Sequence, residues 1–180
     1  MRFADHGRRV VMGAFDGGEI TSDAGGLLLR EVAGRLNLFE RMAACFEDRR
    51  NRKQVTHALP DLLAQRVIAM ALGYEDLNDH DRMRHDPLLK VTAAPRSRIA
   101  GGAPLPALAG SSTLGRLERR FEEADRRYHK FTAQPSRLQD LYVELFTGSY
   151  ATAPERIILD IDATDIETHG HQRGSFFHGY

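Results

Sequence analysis

Cysteine is almost absent from this sequence: Cys45 is the sole one among 180 residues. An internal disulfide is excluded, and the chain fits a reducing compartment. Cys45 sits in the apolar stretch Met42-Ala43-Ala44-Cys45-Phe46, which predicts a buried, inert thiol and not a nucleophile. Long apolar runs are missing as well. The longest, Val67 to Leu72, is far too short to span a bilayer. The opening residues Met1-Arg2-Phe3-Ala4-Asp5-His6 have no apolar stretch behind their charges, so no secretory signal is expected there. An excess of either charge is also lacking, since 25 basic and 25 acidic side chains cancel. Taken alone, that balance argues against a nucleic-acid partner.

What is present says more. Apolar residues make up 42% and charged residues 28% of the chain. This composition predicts a folded, soluble protein, either one substantial domain or a small domain plus part of another. The charges are unevenly spread. From Ser111 to Arg137 seven basic residues face four acidic ones, whereas from Ala151 to Tyr180 five acids face two arginines. A basic middle followed by an acidic strand suits a protein that grips phosphates with one part and holds cations with another. Ordinary surface charge is the competing reading.

Val10, Val11 and Phe15, with Asp16-Gly17-Gly18 as a turn, predict a short hairpin over Val10 to Thr21. Thr21-Ser22-Asp23 then reads as a helix cap ahead of Leu28, Leu29, Val32 and Leu36. A second helix is expected over Leu38 to Phe46, followed by the exposed basic connector Arg49-Arg50-Asn51-Arg52-Lys53. Leu59, Leu63, Val67 and Met70 mark one face of a helix over Thr56 to Leu72, closed by Gly73. Asp76 to His85 reads as a short polar helix ended by Asp86-Pro87. The stretch Ala93 to Gly110, rich in proline, glycine and alanine, reads as an exposed loop. Further helices are expected after Ser111-Ser112-Thr113, with Leu114, Leu117 and Phe121 inward, and after Pro135. The latter presents Leu138, Leu141, Tyr142, Leu145 and Phe146 and closes at Gly148.

The pattern then changes to Arg156-Ile157-Ile158-Leu159-Asp160-Ile161-Asp162, the aliphatic signature of a central strand. Alternation places Asp160 and Asp162 on one face, with Asp165 in the following turn. Carboxylates there need cations or donors to offset burial, and hard oxygen ligands of this kind hold Mg2+ or Mn2+. Capping and turn roles for Asp160 and Asp165 stay open. Phe176-Phe177-His178-Gly179-Tyr180 reads as the opening of a second strand, so the sequence is expected to stop within a domain.

Several segments resemble the DDE transposases of bacterial insertion sequences, specifically the group named for insertion sequence thirteen-eighty. They are Glu19-Ile20-Thr21-Ser22-Asp23-Ala24-Gly25, Ala71-Leu72-Gly73-Tyr74-Glu75-Asp76-Leu77-Asn78-Asp79 and Arg84-His85-Asp86-Pro87. Ser112-Thr113-Leu114-Gly115-Arg116-Leu117-Glu118 and Leu159-Asp160-Ile161-Asp162-Ala163-Thr164-Asp165 follow. Last comes Thr168-His169-Gly170-His171, with Ser175-Phe176-Phe177-His178-Gly179-Tyr180 beyond it. The resemblance spans nearly the whole chain in order. It implies a mainly helical N-terminal region with a short hairpin over residues 1–150, then the first strands of a truncated RNase H-like α/β catalytic core over 151–180. It further implies a metal-binding triad of two aspartates and a glutamate that cuts and joins DNA. Asp162, two residues before Thr164, best matches the first triad position, with Asp160 or Asp165 as alternatives. The other two positions are expected beyond residue 180, so no transposition is expected from these residues alone. Double-stranded DNA at transposon ends and target sites, Mg2+ or Mn2+, a bacterial cytoplasmic, nucleoid-associated location and a possible homo-oligomer are the implied partners and setting.

For DNA contact the first candidates are Arg116, Arg119 and Arg120, which lie off the Leu114-Leu117-Phe121 face. A solvated face balanced by glutamates is the alternative. Arg49, Arg50, Arg52 and Lys53 form a second candidate cluster. His169 and His171 raise a different possibility, a small metallohydrolase using Asp160, Asp162 and both histidines. A loop role fits them better. Asn78-Asp79-His80-Asp81 has metal-ligand chemistry too, but helix capping accounts for it more simply. A stand-alone helical DNA-binding module acting as competitor or repressor is the remaining alternative.

Overall fold

The computed structural model of the chain describes residues 1–14, 22–93, 105–118, 130–161 and 176. Strands β1 (Arg2–His6) and β2 (Arg9–Met12) form an antiparallel hairpin in the register Arg2↔Met12 and Phe3↔Val11. Gly7, at φ 61, sits in the turn between them. Val10 and Val11 do take strand conformation, but their partner precedes them, which displaces the expected hairpin toward the N-terminus. The expected Asp16-Gly17-Gly18 turn lies outside the described residues.

A short 3-10 turn, Ser22–Gly25, leads into α1 (Gly26–Arg35). Gly25, which precedes α1, makes no side-chain cap; Thr21, the first of the expected capping residues, lies outside the described residues. The Asp23 carboxylate accepts a hydrogen bond from the Tyr74 hydroxyl, 2.9 Å away. The buried face of α1 is Gly26, Leu27, Arg30 and Ala33, while Leu28, Leu29, Val32 and Leu36 face out. Arg30 is drawn inward because its guanidinium donates to the Ala4 carbonyl at 2.8 Å. Gly26 lets the helix approach its neighbours closely: a Cβ there would lie 3.3 Å from Thr92 Cγ2 and 3.4 Å from Leu72 Cδ1.

Helix α2 (Leu38–Ala43) ends before Phe46, which opens β3 (Phe46–Asp48). Strand β3 pairs antiparallel with β4 (Phe131–Ala133), with Asp48 opposite Phe131. Between these strands in sequence comes α3 (Leu59–Ala71), the centre of the molecule. One side packs Leu59, Leu62 and Leu63 against Ala109, Leu114 and Phe131. Ala64 and Ile68 pack against Leu89, Ala93 and Leu108. Being covered on more than one side, α3 is buried well beyond the single stripe the sequence suggested, and Gln65 and Arg66 are buried with it. Gly73, at φ 92, closes the helix as expected.

Helices α4 (Asp79–Met83) and α5 (Pro87–Ala93) follow, separated by Asp86, whose carboxylate accepts from the Leu89 N–H at 2.7 Å. Leu108 and Ala109 are buried at 6% and 1% exposure. That part of the expected exposed loop therefore belongs to the core. Helix α6 (Ser111–Glu118) buries Leu114. Helix α7 (Pro135–Gly148) buries Leu141 but leaves Tyr142 and Phe146 exposed.

Residues 156–161 form no strand, and Ile158, Leu159 and Ile161 are 79%, 80% and 92% exposed. The expected central strand is thus not formed there. An extended segment becomes a strand only when a neighbour takes up its N–H and C=O groups, and neither two-stranded sheet includes it. Among the described residues, no helix is long and apolar enough to cross a membrane.

Candidate nucleic-acid interface

Helix α6 is held by contacts that begin before its first turn. Leu108 N–H donates to the Arg84 carbonyl at 3.0 Å. Ala109 exchanges two hydrogen bonds with the side-chain amide of Gln65: its carbonyl accepts at 2.8 Å and its N–H donates at 3.0 Å. The Asp81 carboxylate then accepts from the Ser111 N–H at 2.9 Å and from the Ser111 hydroxyl at 2.7 Å. An anion at a helix N-terminus satisfies an orphan donor and complements the helix dipole. These bonds, led by the backbone one, hold the Asp81 carboxyl below its ordinary range. Further along, the buried Arg66 guanidinium pairs with Glu118 and donates to the Tyr74 and Glu75 carbonyls.

With Leu114 inward, Arg116 is carried about 200° round the helix and stands exposed. It lines a cleft of about 460 Å³ together with Thr113, Arg50, Asn51, His57 and Lys130. Among the described residues, none that lines it is acidic. One arginine from each basic segment singled out in the sequence, Arg116 on α6 and Arg50 in the connector, thus meets the other in one concavity, whereas Arg49, Arg52 and Lys53 do not line it.

Arg50 is the pillar of that cleft. It makes a two-pronged contact with Asp48, at 2.9 Å from Nε to Oδ1 and 2.7 Å from Nη2 to Oδ2. It also donates to the His57 carbonyl at 2.8 Å and lies over the Phe131 ring. Burial alone raises the Asp48 pKa, but the hydrogen bonds and charge of Arg50 outweigh it and leave the carboxyl below its ordinary value. Arg116 and Lys130 take part in none of the ion pairs among the described residues. Arg116 also borders a second recess that holds Glu75, Asp76 and Glu118. Lys130 and His57 were not singled out in the sequence as contacts. Pairing of Phe131 with Asp48 brings Lys130 there, and short strands separated by more than 80 residues leave little trace in local periodicity.

Other sequence candidates fare differently. Arg119, Arg120, Asp162, Asp165, His169 and His171 lie outside the described residues. Asp160 is exposed on the irregular 156–161 segment. Among the described residues, no group of three or more His, Cys, Asp and Glu side chains is arranged to hold a metal ion. The described residues, Asp160 included, do not make a Mg2+ or Mn2+ site. Within Asn78-Asp79-His80-Asp81, Asp81 caps α6 and His80 is fully buried against Gln65. Cys45 is buried, its Sγ 3.4 Å from the Arg41 and Arg137 carbonyls.

The family model described as transposase DDE domain group 1 matches residues 3–180, and the chain belongs to that family, the DDE-type transposases. No curated protein and no solved structure matches it.

Proposed function

We propose that this chain is the DNA-gripping part of an insertion-sequence transposase of the thirteen-eighty group, and that the cleft between α6 and the 50–57 segment holds the DNA backbone. The observation that carries this reading is the meeting of Arg116, Lys130 and Arg50 in a cleft whose described lining residues include no acid. Concavity favours backbone over base edges. Reading a major groove takes a protruding helix or ribbon, whereas a recess lined by cations and hydroxyls wraps a phosphate ridge. Residues 1–150 serve as the DNA-binding region in this reading, and 151–180 open an RNase H-like catalytic core. Asp162 is its first carboxylate, toward Mg2+ or Mn2+. We expect no strand transfer from these 180 residues by themselves, because the resemblance assigns one triad position to them.

Fluorescence anisotropy with two labelled duplexes of equal length and scrambled sequence tests the cleft. Binding that weakens steeply with salt and differs little between the duplexes is expected. Absence of binding at low salt would remove the reading.

A further inference from the structure

Gln65, His80 and Ala109 form a buried polar group whose hydrogen positions are fixed by the backbone. The Ala109 N–H must face the Gln65 carbonyl oxygen, and the Ala109 carbonyl must face the Gln65 amide nitrogen, at 3.0 and 2.8 Å. The amide cannot flip without setting donor against donor. Its second hydrogen then points along the 3.0 Å contact to His80 Nδ1. That nitrogen has to present a lone pair, so the ring is neutral with its proton on Nε2.

We infer that Gln65 and His80 are positioning residues for α6, forming a clamp that closes only while His80 is neutral. A second proton on the ring would put an N–H against the Gln65 N–H in a site with no water access, since both side chains are at 0–1% exposure. Opening the clamp frees Ala109 two residues before Ser111. From there the disturbance reaches the Asp81 cap and the helix that carries Arg116. The charged groups acting on His80 come from three helices: Arg66 on α3, Glu118 on α6, and Asp79 and Asp81 on α4. Burial is the largest influence and Arg66 acts in the same direction; the three carboxylates oppose them, and the balance lies below the ordinary histidine value. The consequence for DNA binding rests on the cleft reading above, but the clamp itself does not.

Two measurements that involve no DNA test it. In the wild-type protein, NMR titration should place His80 below the free-histidine range. The protection factor of the Ala109 amide should fall as pH drops below 6.5, by up to about tenfold per pH unit. In Gln65→Glu the carboxylate can accept from both Ala109 N–H and a protonated His80, so the His80 titration should move above the free-histidine range. A wild-type His80 titrating at or above that range, or Ala109 protection independent of pH, overturns the inference. An unmoved His80 in a folded Gln65→Glu protein does the same. Should Gln65→Glu fail to fold, the two wild-type measurements decide.

Discussion

The guanidinium carbon of Arg50 lies 4.5 Å from the ring centroid of Phe131, and this contact joins the basic connector to the strand that delivers Lys130. Arg50 thereby serves the cleft as scaffold, with its charge already shared with Asp48. Replacing it with alanine removes the ring contact and leaves a half-buried carboxylate without its partner. A loss of roughly 2–3 kcal/mol in urea denaturation is expected. Lysine should recover little of it, because an ammonium cannot match the planar two-pronged contact. Full recovery by lysine would show that only charge matters.

The same pair sets an acid dependence. The folded-state pKa of Asp48 lies below its ordinary value of 3.8. The stabilisation it supplies is therefore complete above that value and is lost as pH falls through the lower, folded-state pKa. The difference in urea midpoint between the wild-type protein and Asp48→Asn should be largest near neutrality and shrink below pH 3.8. A difference that grows on acidification contradicts the assignment.

Gly110 is small for a definite reason. A Cβ at this position would sit 2.8 Å from Asp81 Oδ1 and 3.1 Å from Arg84 Nη1. Gly110→Ala should push Asp81 off Ser111 and cost roughly 1–2 kcal/mol, the usual value of a helix cap. Thermal unfolding of Gly110→Ala beside Asp81→Ala would show effects that fail to add, since both remove one cap. Strict additivity would separate the two sites.

Helix α1 offers a test of how far periodicity can be trusted. The spacing of Leu28, Leu29, Val32 and Leu36 announces a helix correctly, yet Val32 is 55% exposed while Arg30 is at 6%. Val32→Ser should change stability by less than about 0.5 kcal/mol. A cost above roughly 2 kcal/mol would mean that the leucine face, and not the Arg30 face, is inward.

Elements built from local chemistry were legible in the sequence. The α3 stop at Gly73 and the break at Asp86-Pro87 each follow from one residue's backbone preference. What escaped depended on distant partners. Arg30 turns inward because a strand carbonyl is waiting for it, Ala109 is buried because Gln65 meets it, and Leu108 because Ala64, Ile68 and Leu89 pack around it. Strand β3 exists because β4 arrives from the far side of α6. The aliphatic run at 156–161 shows the converse, since strand chemistry produces no strand where, among the described residues, no neighbour pairs with it. Of the candidate contacts, Arg116 could be picked from its helix face alone. Its meeting with Arg50 and Lys130 could not, because it depends on the β3–β4 pairing.

The cleft itself is tested most directly by the salt dependence of duplex binding in Arg116→Ala/Lys130→Ala. Both side chains are exposed, so the fold should be kept. The slope of log affinity against log salt should become shallower by about 1.8, or about 0.9 for each phosphate that the variant no longer neutralises. A folded double variant that binds with wild-type affinity and slope would contradict the assignment of this cleft to DNA.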